Sequence, residues 1–259
     1  MEYAAVLIVV ILILVYDPLY IREKLFVSRI GKIETSGYLI PNVYHVFWTG
    51  GYDSTFRICQ LVLDANKYVQ PIYICDPCID DTFMHGRRKN RRLEVEAMDT
   101  IRMHLENECI KRKLPIDLLL PTLYVTRVVV GGDIFQSMYK IYWNGGLSRP
   151  VSQYSAMAEV TRQLNIIVEV CVENDNHSIM GALIKPYILE DKLIDDKPHE
   201  LEIFDRMRFP IIHLSKCDMY KIAHADDYDY LLQFTFSCWY PKGLKPCGQC
   251  VMCKQRLLA

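Results

Sequence analysis

The stretch HVFWTGGYDSTFRICQLV, His45 to Val62, decides the fold. Apolar residues run into two glycines and an Asp-Ser-Thr cluster, and an apolar run follows. A short buried strand that turns into a helix through such a joint is the building unit of an open α/β sheet. Gly50 and Gly51 let the backbone take positive φ and approach a ligand closely. The start of the helix offers unpaired N–H donors and a partial positive charge, so the joint faces an anion. Thr49, Ser54 and Thr55 add hydroxyls, and Asp53 is placed to cap the helix or to help hold Mg²⁺ against bound phosphates. The same residues also suit an ordinary Gly-Gly turn with an Asp or Ser N-cap, so the joint taken alone leaves both readings open.

Outward from this joint the strand-then-helix pattern repeats. VYHVFW (43–48) reads as a strand and STFRICQLVLDAN (54–66) as a helix. VQPIYIC (69–75) is a second strand, and RRLEVEAMDTIRMHLENECIKRK (91–113) a long amphipathic helix. IDLLLPTLYVT (116–126) is a third strand region, YSAMAEVTRQL (154–164) a helix, and NIIVEVCV (165–172) a fourth strand. FPIIHL (209–214) reads as a fifth strand, followed by the helix KCDMYKIAHA (216–225). Short apolar strands alternating with helices predict an α/β fold, a Rossmann-like open, mostly parallel sheet covered by helices on both faces. Ligands of such sheets sit at the carboxyl ends of the strands, where the Thr49–Thr55 joint lies.

The chain has 259 residues, 51% hydrophobic and 24% charged, enough for one large domain or one domain with an appendage. A formal net charge of −1 excludes a global field for nucleic acid or an anionic membrane. The basic run His85–Arg92 is a local exception; it suits phosphate contact through Arg87 or Arg88, or a solvated helix start. At the other extreme, Ala4–Tyr16 carries no charge, and about 18 residues are available to Ile21 if Asp17 is tolerated near an interface. Arg22, Lys24, Arg29 and Lys32 follow it, an arrangement that would leave the downstream domain in the cytoplasm if the segment anchors the chain in a membrane. A buried hydrophobic element is the competing reading. The expected organisation is therefore a hydrophobic segment at 1–21, a connecting arm at 22–42, a nucleotide-binding domain at 43–236 and a metal-binding segment at 237–259.

That last segment follows from cysteine spacing. Of ten cysteines, Cys238, Cys247, Cys250 and Cys253 crowd the C-terminus as C-x8-C-x2-C-x2-C. Four thiolates satisfy a tetrahedral Zn²⁺ at about 2.3 Å each and leave no open position, which makes the site structural. Gly248 relieves the tight turn between ligands. Disulfides are the alternative, but a crowded knuckle fits metal ligation in a reducing compartment better than a secreted scaffold.

TGGYDST (49–55) resembles the PP-loop, the SGGxDS/T motif of adenylating ATP-pyrophosphatases, with Thr49 where Ser is usual. Together with the cysteine tail, it resembles the 7-cyano-7-deazaguanine synthase family, which pairs a PP-loop with a C-terminal four-cysteine zinc knuckle. MHGRRKNRRLEVEAM (84–98), LSKCDMYKIA (214–223), FTFSCWY (234–240) and CGQCVMCKQRL (247–257) look like further family segments, with Lys216 at the matching lysine. The substrate-side stretches depart from the family. LSRPVSQYSAMAE keeps Arg149 and a proline, and VCVENDNHS keeps Asp175.

The resemblance implies a ligase that uses ATP and ammonia to convert the carboxylate of 7-carboxy-7-deazaguanine into the nitrile preQ0, in queuosine biosynthesis. Thr49, Gly50, Gly51, Asp53, Ser54 and Thr55 would hold the phosphates and Mg²⁺, with Arg87 phosphate-facing. Tyr73 to Cys75 would offer backbone to the adenine. Arg149, Lys216 and Asp175 would join Asp53 and Ser54 in the catalytic set. A homodimer is expected, and no direct nucleic-acid partner. Two rivals remain: a PP-loop enzyme acting on another carboxylate or on a tRNA base, for which Cys75 and Cys78 are the candidate sulfur pair, and a catalytically silent nucleotide-binding scaffold.

Overall fold

The computed structural model describes residues 30–75, 90–144, 152–174 and 179–256. The N-terminal apolar segment, Cys78, Arg87, Arg88, Arg149 and Asp175 lie outside the described residues.

In chain order the elements are β1 (Lys32–Ser36), β2 (Tyr44–Phe47), α1 (Tyr52–Cys59), β3 (Val69–Ile74), α2 (Arg91–Arg112) and β4 (Leu123–Val129). Then come α3 (Gly132–Asn144), α4 (Ser152–Leu164), β5 (Val168–Glu169), α5 (Ile179–Ile184), β6 (Ile188–Leu189) and β7 (Lys192–Leu193). The chain continues through β8 (Met207–Arg208), α6 (Lys216–Ala225), α7 (Asp229–Leu232) and α8 (Val251–Arg256). Six strands form one sheet in the order β1-β4-β3-β2-β5-β8. β4, β3, β2, β5 and β8 run parallel, and β1 closes one edge antiparallel to β4 with a bulge between Glu34 and Thr35. The mostly parallel α/β sheet expected from the sequence is the one found.

Successive side chains of a strand point to opposite faces, and the core divides accordingly. On one face Val46, Trp48, Val69 and Tyr73 pack with Phe56 of α1, Met98, Ile101 and Leu105 of α2, and Met219 and Ala223 of α6. On the other, Phe47, Ile72, Leu123, Val125, Val168 and Val170 pack with Ile134 and Met138 of α3 and with Ala156 and Val160 of α4. Helices therefore cover both faces, which is why the strands read as nearly continuous apolar runs.

Several boundaries differ from expectation. The connecting arm contributes β1, tied down where Gln163 Nε2 donates to the carbonyl of Gly31 (3.0 Å). The first helix ends its regular turns at Cys59 and continues as a π-helical turn over Gln60–Asp64. The third strand starts only at Leu123, after Pro121, and β5 is two residues long within NIIVEVCV. FPIIHL is not a strand. Phe209, Ile211 and Ile212 are buried, but Pro210 removes a ladder donor, and Ile212 N–H and Leu214 N–H bond back to the carbonyls of Phe209 and Ile211 in turns. The strand there is β8, immediately before. The helix α3 was not anticipated behind its opening Gly131-Gly132. Among the described residues no helix is long and apolar enough to cross a membrane.

Candidate active site and metal centre

From β2 the chain moves outward to β3 and β4, then crosses back to the other side of β2 to lay down β5 and β8. The loops leaving β2 and β5 consequently diverge, which opens the crevice where open α/β sheets bind ligands. The Thr49–Thr55 joint occupies one side of it.

Within the joint the two glycines have different tasks. Gly50 sits at φ +68, and a Cβ there would lie 2.8 Å from the carbonyl oxygen of Glu94 in α2. Gly51 is the N-cap of α1 with an extended backbone, φ −78 and ψ 166, as N-cap residues generally have. Positive φ, expected of both, is realised at Gly50 alone. Thr55 N–H makes the first helical bond, to Gly51 O at 3.1 Å, so the preceding N–H groups of α1 face the crevice side of its N-terminus without helical partners.

The side chains also separate. Thr55 is fully buried and its hydroxyl accepts from Trp48 Nε1 at 3.0 Å; it braces the end of β2 against α1, a task unlike the phosphate contact expected of it. Ser54 is buried, with Oγ 3.5 Å from Gly51 O. Asp53 makes no capping bond. Its carboxylate accepts from Lys216 Nζ at 2.6 Å, and the same ammonium donates to Glu173 Oε1 at 2.8 Å. Burial works against the charge on Lys216, but Asp53 and Glu173 outweigh it and hold the ammonium above its ordinary range. Lys216 Nζ also stands 5.4 Å from the centroid of the Tyr52 ring. The phenols nearby are held neutral: burial and then Asp53 push Tyr52 up to about 12, and Tyr154 of α4 likewise.

Lys216 is fixed at its root. It opens α6, whose N-cap Ser215 forms a capping box with Asp218: Ser215 N–H donates to Asp218 Oδ2 at 3.0 Å, and Asp218 N–H to Ser215 Oγ at 3.2 Å. Beneath the site, Arg57 of α1 clasps Glu169 of β5 through Nε (2.7 Å) and Nη2 (2.9 Å), a bidentate pair that locks the two sides of the crevice.

The tip of β3 is more occupied than expected. Tyr73 is buried and its hydroxyl donates to Glu94 Oε2 at 2.7 Å, while Asn90 Nδ2 donates to Glu94 Oε1 at 2.9 Å. Cys75 N–H donates to Val125 O at 2.9 Å, so this amide belongs to the sheet and is not open to adenine.

The four C-terminal cysteines converge. Their Sγ atoms lie within 4.8 Å of one another, with Cys247 to Cys253 at 3.9 Å and Cys250 to Cys238 at 4.0 Å. Tetrahedral zinc–thiolate bonds of about 2.3 Å imply sulfurs about 3.8 Å apart, so the set, four free cysteines, fits a metal such as zinc. Gly248, at φ +71, makes the turn that lets the N–H groups of Gln249 (3.4 Å) and Cys250 (3.3 Å) point at Cys247 Sγ. These donors favour the thiolate and draw Cys247 down to about 6.

Knuckle and joint are stitched together. Arg256 of α8 donates to the carbonyls of Thr235 and Gln233, and Phe236 N–H, just after them, donates to Gly50 O at 2.8 Å. Ser237 Oγ comes within 3.6 Å of the place a Cβ on Gly51 would take.

Residues 200–259 match the family model of the queuosine biosynthesis protein QueC. The resemblance read from the sequence thus holds over the segment that contains Lys216 and all four cysteines, and it connects that segment to queuosine biosynthesis. The Gly50–Ser54 joint, Asp53 and Glu173 lie outside the matched residues. Among curated proteins none matches the chain.

Sequence reasoning brought Asp53 and Lys216 to the site but missed Glu173. The available signal was an acid directly after the apolar run of β5, at the strand end facing the crevice. It also missed Glu94, a carboxylate on the inward face of α2.

Proposed function

We propose that the chain is an ATP-dependent adenylating enzyme of queuosine biosynthesis that converts 7-carboxy-7-deazaguanine and ammonia into 7-cyano-7-deazaguanine. One observation carries the reading: the Gly50–Ser54 joint sits at the switch point of a mostly parallel sheet, facing Lys216 and hydrogen-bonded to the loop segment that leads into the four-cysteine cluster. In the proposed reaction a carboxylate oxygen of the substrate attacks the α-phosphorus of ATP and pyrophosphate leaves. Ammonia then attacks the carbonyl carbon, AMP leaves and a proton is lost, giving the amide. The amide oxygen attacks the α-phosphorus of a second ATP and a second pyrophosphate leaves; departure of AMP, which carries that oxygen away, with loss of the two N–H protons leaves the nitrile.

Such chemistry depends on positioning and charge neutralisation. Gly51 and the first N–H groups of α1 receive the phosphates, and Lys216 supplies a cation beside them. Mg²⁺, when bound, neutralises phosphate charge, and Asp53 is the residue placed to hold it. Zinc is structural, since four thiolates complete its shell.

Incubation of the zinc-loaded chain with ATP, ammonia and 7-carboxy-7-deazaguanine should give AMP, pyrophosphate and the nitrile or amide by mass spectrometry, and Asp53→Ala should abolish all of them. ATP cleavage with some other acid and none with this one would move the assignment to a different carboxylate. No cleavage with any would reject adenylation.

A further inference from the structure

Lys216 is shared between two carboxylates from different elements, and only one of them belongs to the joint. Asp53 stands in the first turn of α1, and Glu173 follows β5 on the opposite side of the crevice; the side chains of Lys216 and Glu173 are only 11% and 8% exposed. We infer that Glu173 is a positioning residue, which holds the Lys216 ammonium at the mouth of the Gly50–Ser54 joint while Asp53 is engaged elsewhere. The inference rests on the adenylation reading for its kinetic consequence, though not for the contact itself.

A lysine with Asp53 as sole partner would follow that carboxylate, and each would cancel the other just where phosphate charge has to be met. A second carboxylate across the crevice gives the ammonium an anchor that persists when Asp53 turns to a cation. The capping box at Ser215 fixes the root of the side chain, so the two carboxylates determine where its tip rests. Among the described residues, the groups that face the ammonium are Asp53 and Tyr52 from α1 and Glu173 from the loop after β5. Farther out, Tyr154 and Cys171 feel Asp53, while Tyr220, Asp229 and Arg256 feel Tyr52. Glu173 is not a residue that the joint's own sequence specifies; topology alone brings it there.

The test uses the full zinc-loaded chain as wild type, Glu173→Gln and Glu173→Asp, with Lys216→Arg to assign the lysine signal. NMR of ¹³C-labelled lysine at one pH reports the surroundings of Lys216, and AMP formation gives kcat and KM. The expected result is a Lys216 signal displaced in Glu173→Gln from its wild-type position. With it, kcat should fall on the order of tenfold to a hundredfold, as for losing a hydrogen bond to a charged group, while KM for ATP moves by less than about threefold. Glu173→Asp should recover part of both effects. An unmoved lysine signal in a folded Glu173→Gln chain would overturn the inference, as would an unchanged kcat in an active one. If the wild type forms no AMP, adenylation fails by itself, and the lysine signal still decides whether Glu173 holds the ammonium.

Discussion

Gly50 and Gly51 are adjacent and look interchangeable in sequence, yet the structure assigns them opposite sensitivities to the same methyl group. At Gly50, alanine would have to adopt φ +68, a left-handed conformation that costs about 1–2 kcal/mol for an L-residue. Its Cβ would also meet Glu94 O at 2.8 Å, Met98 Cγ at 3.2 Å and Ala97 Cβ at 3.3 Å. The first of these is a backbone atom of α2, and the Glu94 side chain is itself held by Tyr73 and Asn90, so that turn has little freedom to retreat. Overpacking of this kind costs roughly 1–3 kcal/mol. Gly50→Ala is therefore expected to lose about 2–5 kcal/mol of stability in all. At Gly51 the backbone is in a region that alanine adopts readily, and the nearest atom is the rotatable Thr49 Oγ1 at 3.3 Å. Gly51→Ala should stay within about 1 kcal/mol of wild type and, on the proposed nucleotide reading, weaken ATP binding, because the methyl would stand where a phosphate is to approach the amides. Urea unfolding with zinc present, paired with calorimetric titration of ATP and Mg²⁺, separates the two. A Gly50→Ala chain within about 0.5 kcal/mol of wild type would refute the packing argument. A Gly51→Ala chain that binds ATP as well as wild type would refute the cradle.

Other outcomes follow from the same geometry. Chelation of a metal held by the four cysteines should lower the melting temperature and, on the proposed nucleotide reading, also reduce ATP affinity, since Phe236 links the segment before the knuckle to Gly50; metal loss with unaltered nucleotide binding would show that this link transmits nothing. Glu159 is fully buried and accepts from Gly131 N–H (2.8 Å), Arg162 Nη2 (2.7 Å) and Gln163 Nε2 (2.8 Å), so Glu159→Ala, which leaves these donors without their acceptor, should cost about 1–3 kcal/mol in chemical denaturation. Burial would raise the pKa of Glu108, but bonds from Tyr230, Arg112 and Lys111 outweigh it and bring it to about 2. Its folded pKa is depressed, so the stability it contributes is present above about 4.5 and is lost as pH falls toward 2; Glu108→Gln should flatten that acid limb in urea midpoints measured against pH. Burial and then Asp226 raise Asp64 to about 6, the opposite sign, so Asp64→Asn should be more stable than wild type above that pH.

How far the sequence carried these conclusions depended on whether the signal was local. The joint from β2 to α1 was legible because an apolar run, a glycine pair and a helix start are all local features. KCDMYKIAHA coincides with α6 because its cap, Ser215, lies just before it in the chain. The cysteine knuckle was legible because metal geometry restricts ligand spacing. What stayed hidden was decided across the sheet. Burial of Phe209, Ile211 and Ile212 made FPIIHL resemble a strand, but apolar character records burial and not backbone pairing, and the turn at Pro210 is equally dry. The helix α3 carried its signal at Ile134, Phe135, Met138 and Ile141, a helical spacing that its opening glycines concealed. Thr55 looked like a phosphate ligand until Trp48, seven residues earlier, was seen to use its hydroxyl. Asp53 looked like a helix cap until Lys216, 163 residues later, took its carboxylate. In both cases the fold supplies a protein partner that the local sequence does not name. A hydroxyl or carboxylate at a helix start has several acceptable donors; for Asp53 the crossing of the chain back past β2 selects among them. The same crossing brings Glu173 to Lys216. A strand order that kept β5 away from β2 would leave the joint intact and its lysine without a second carboxylate, so the topology and the Gly-Gly turn together make the site.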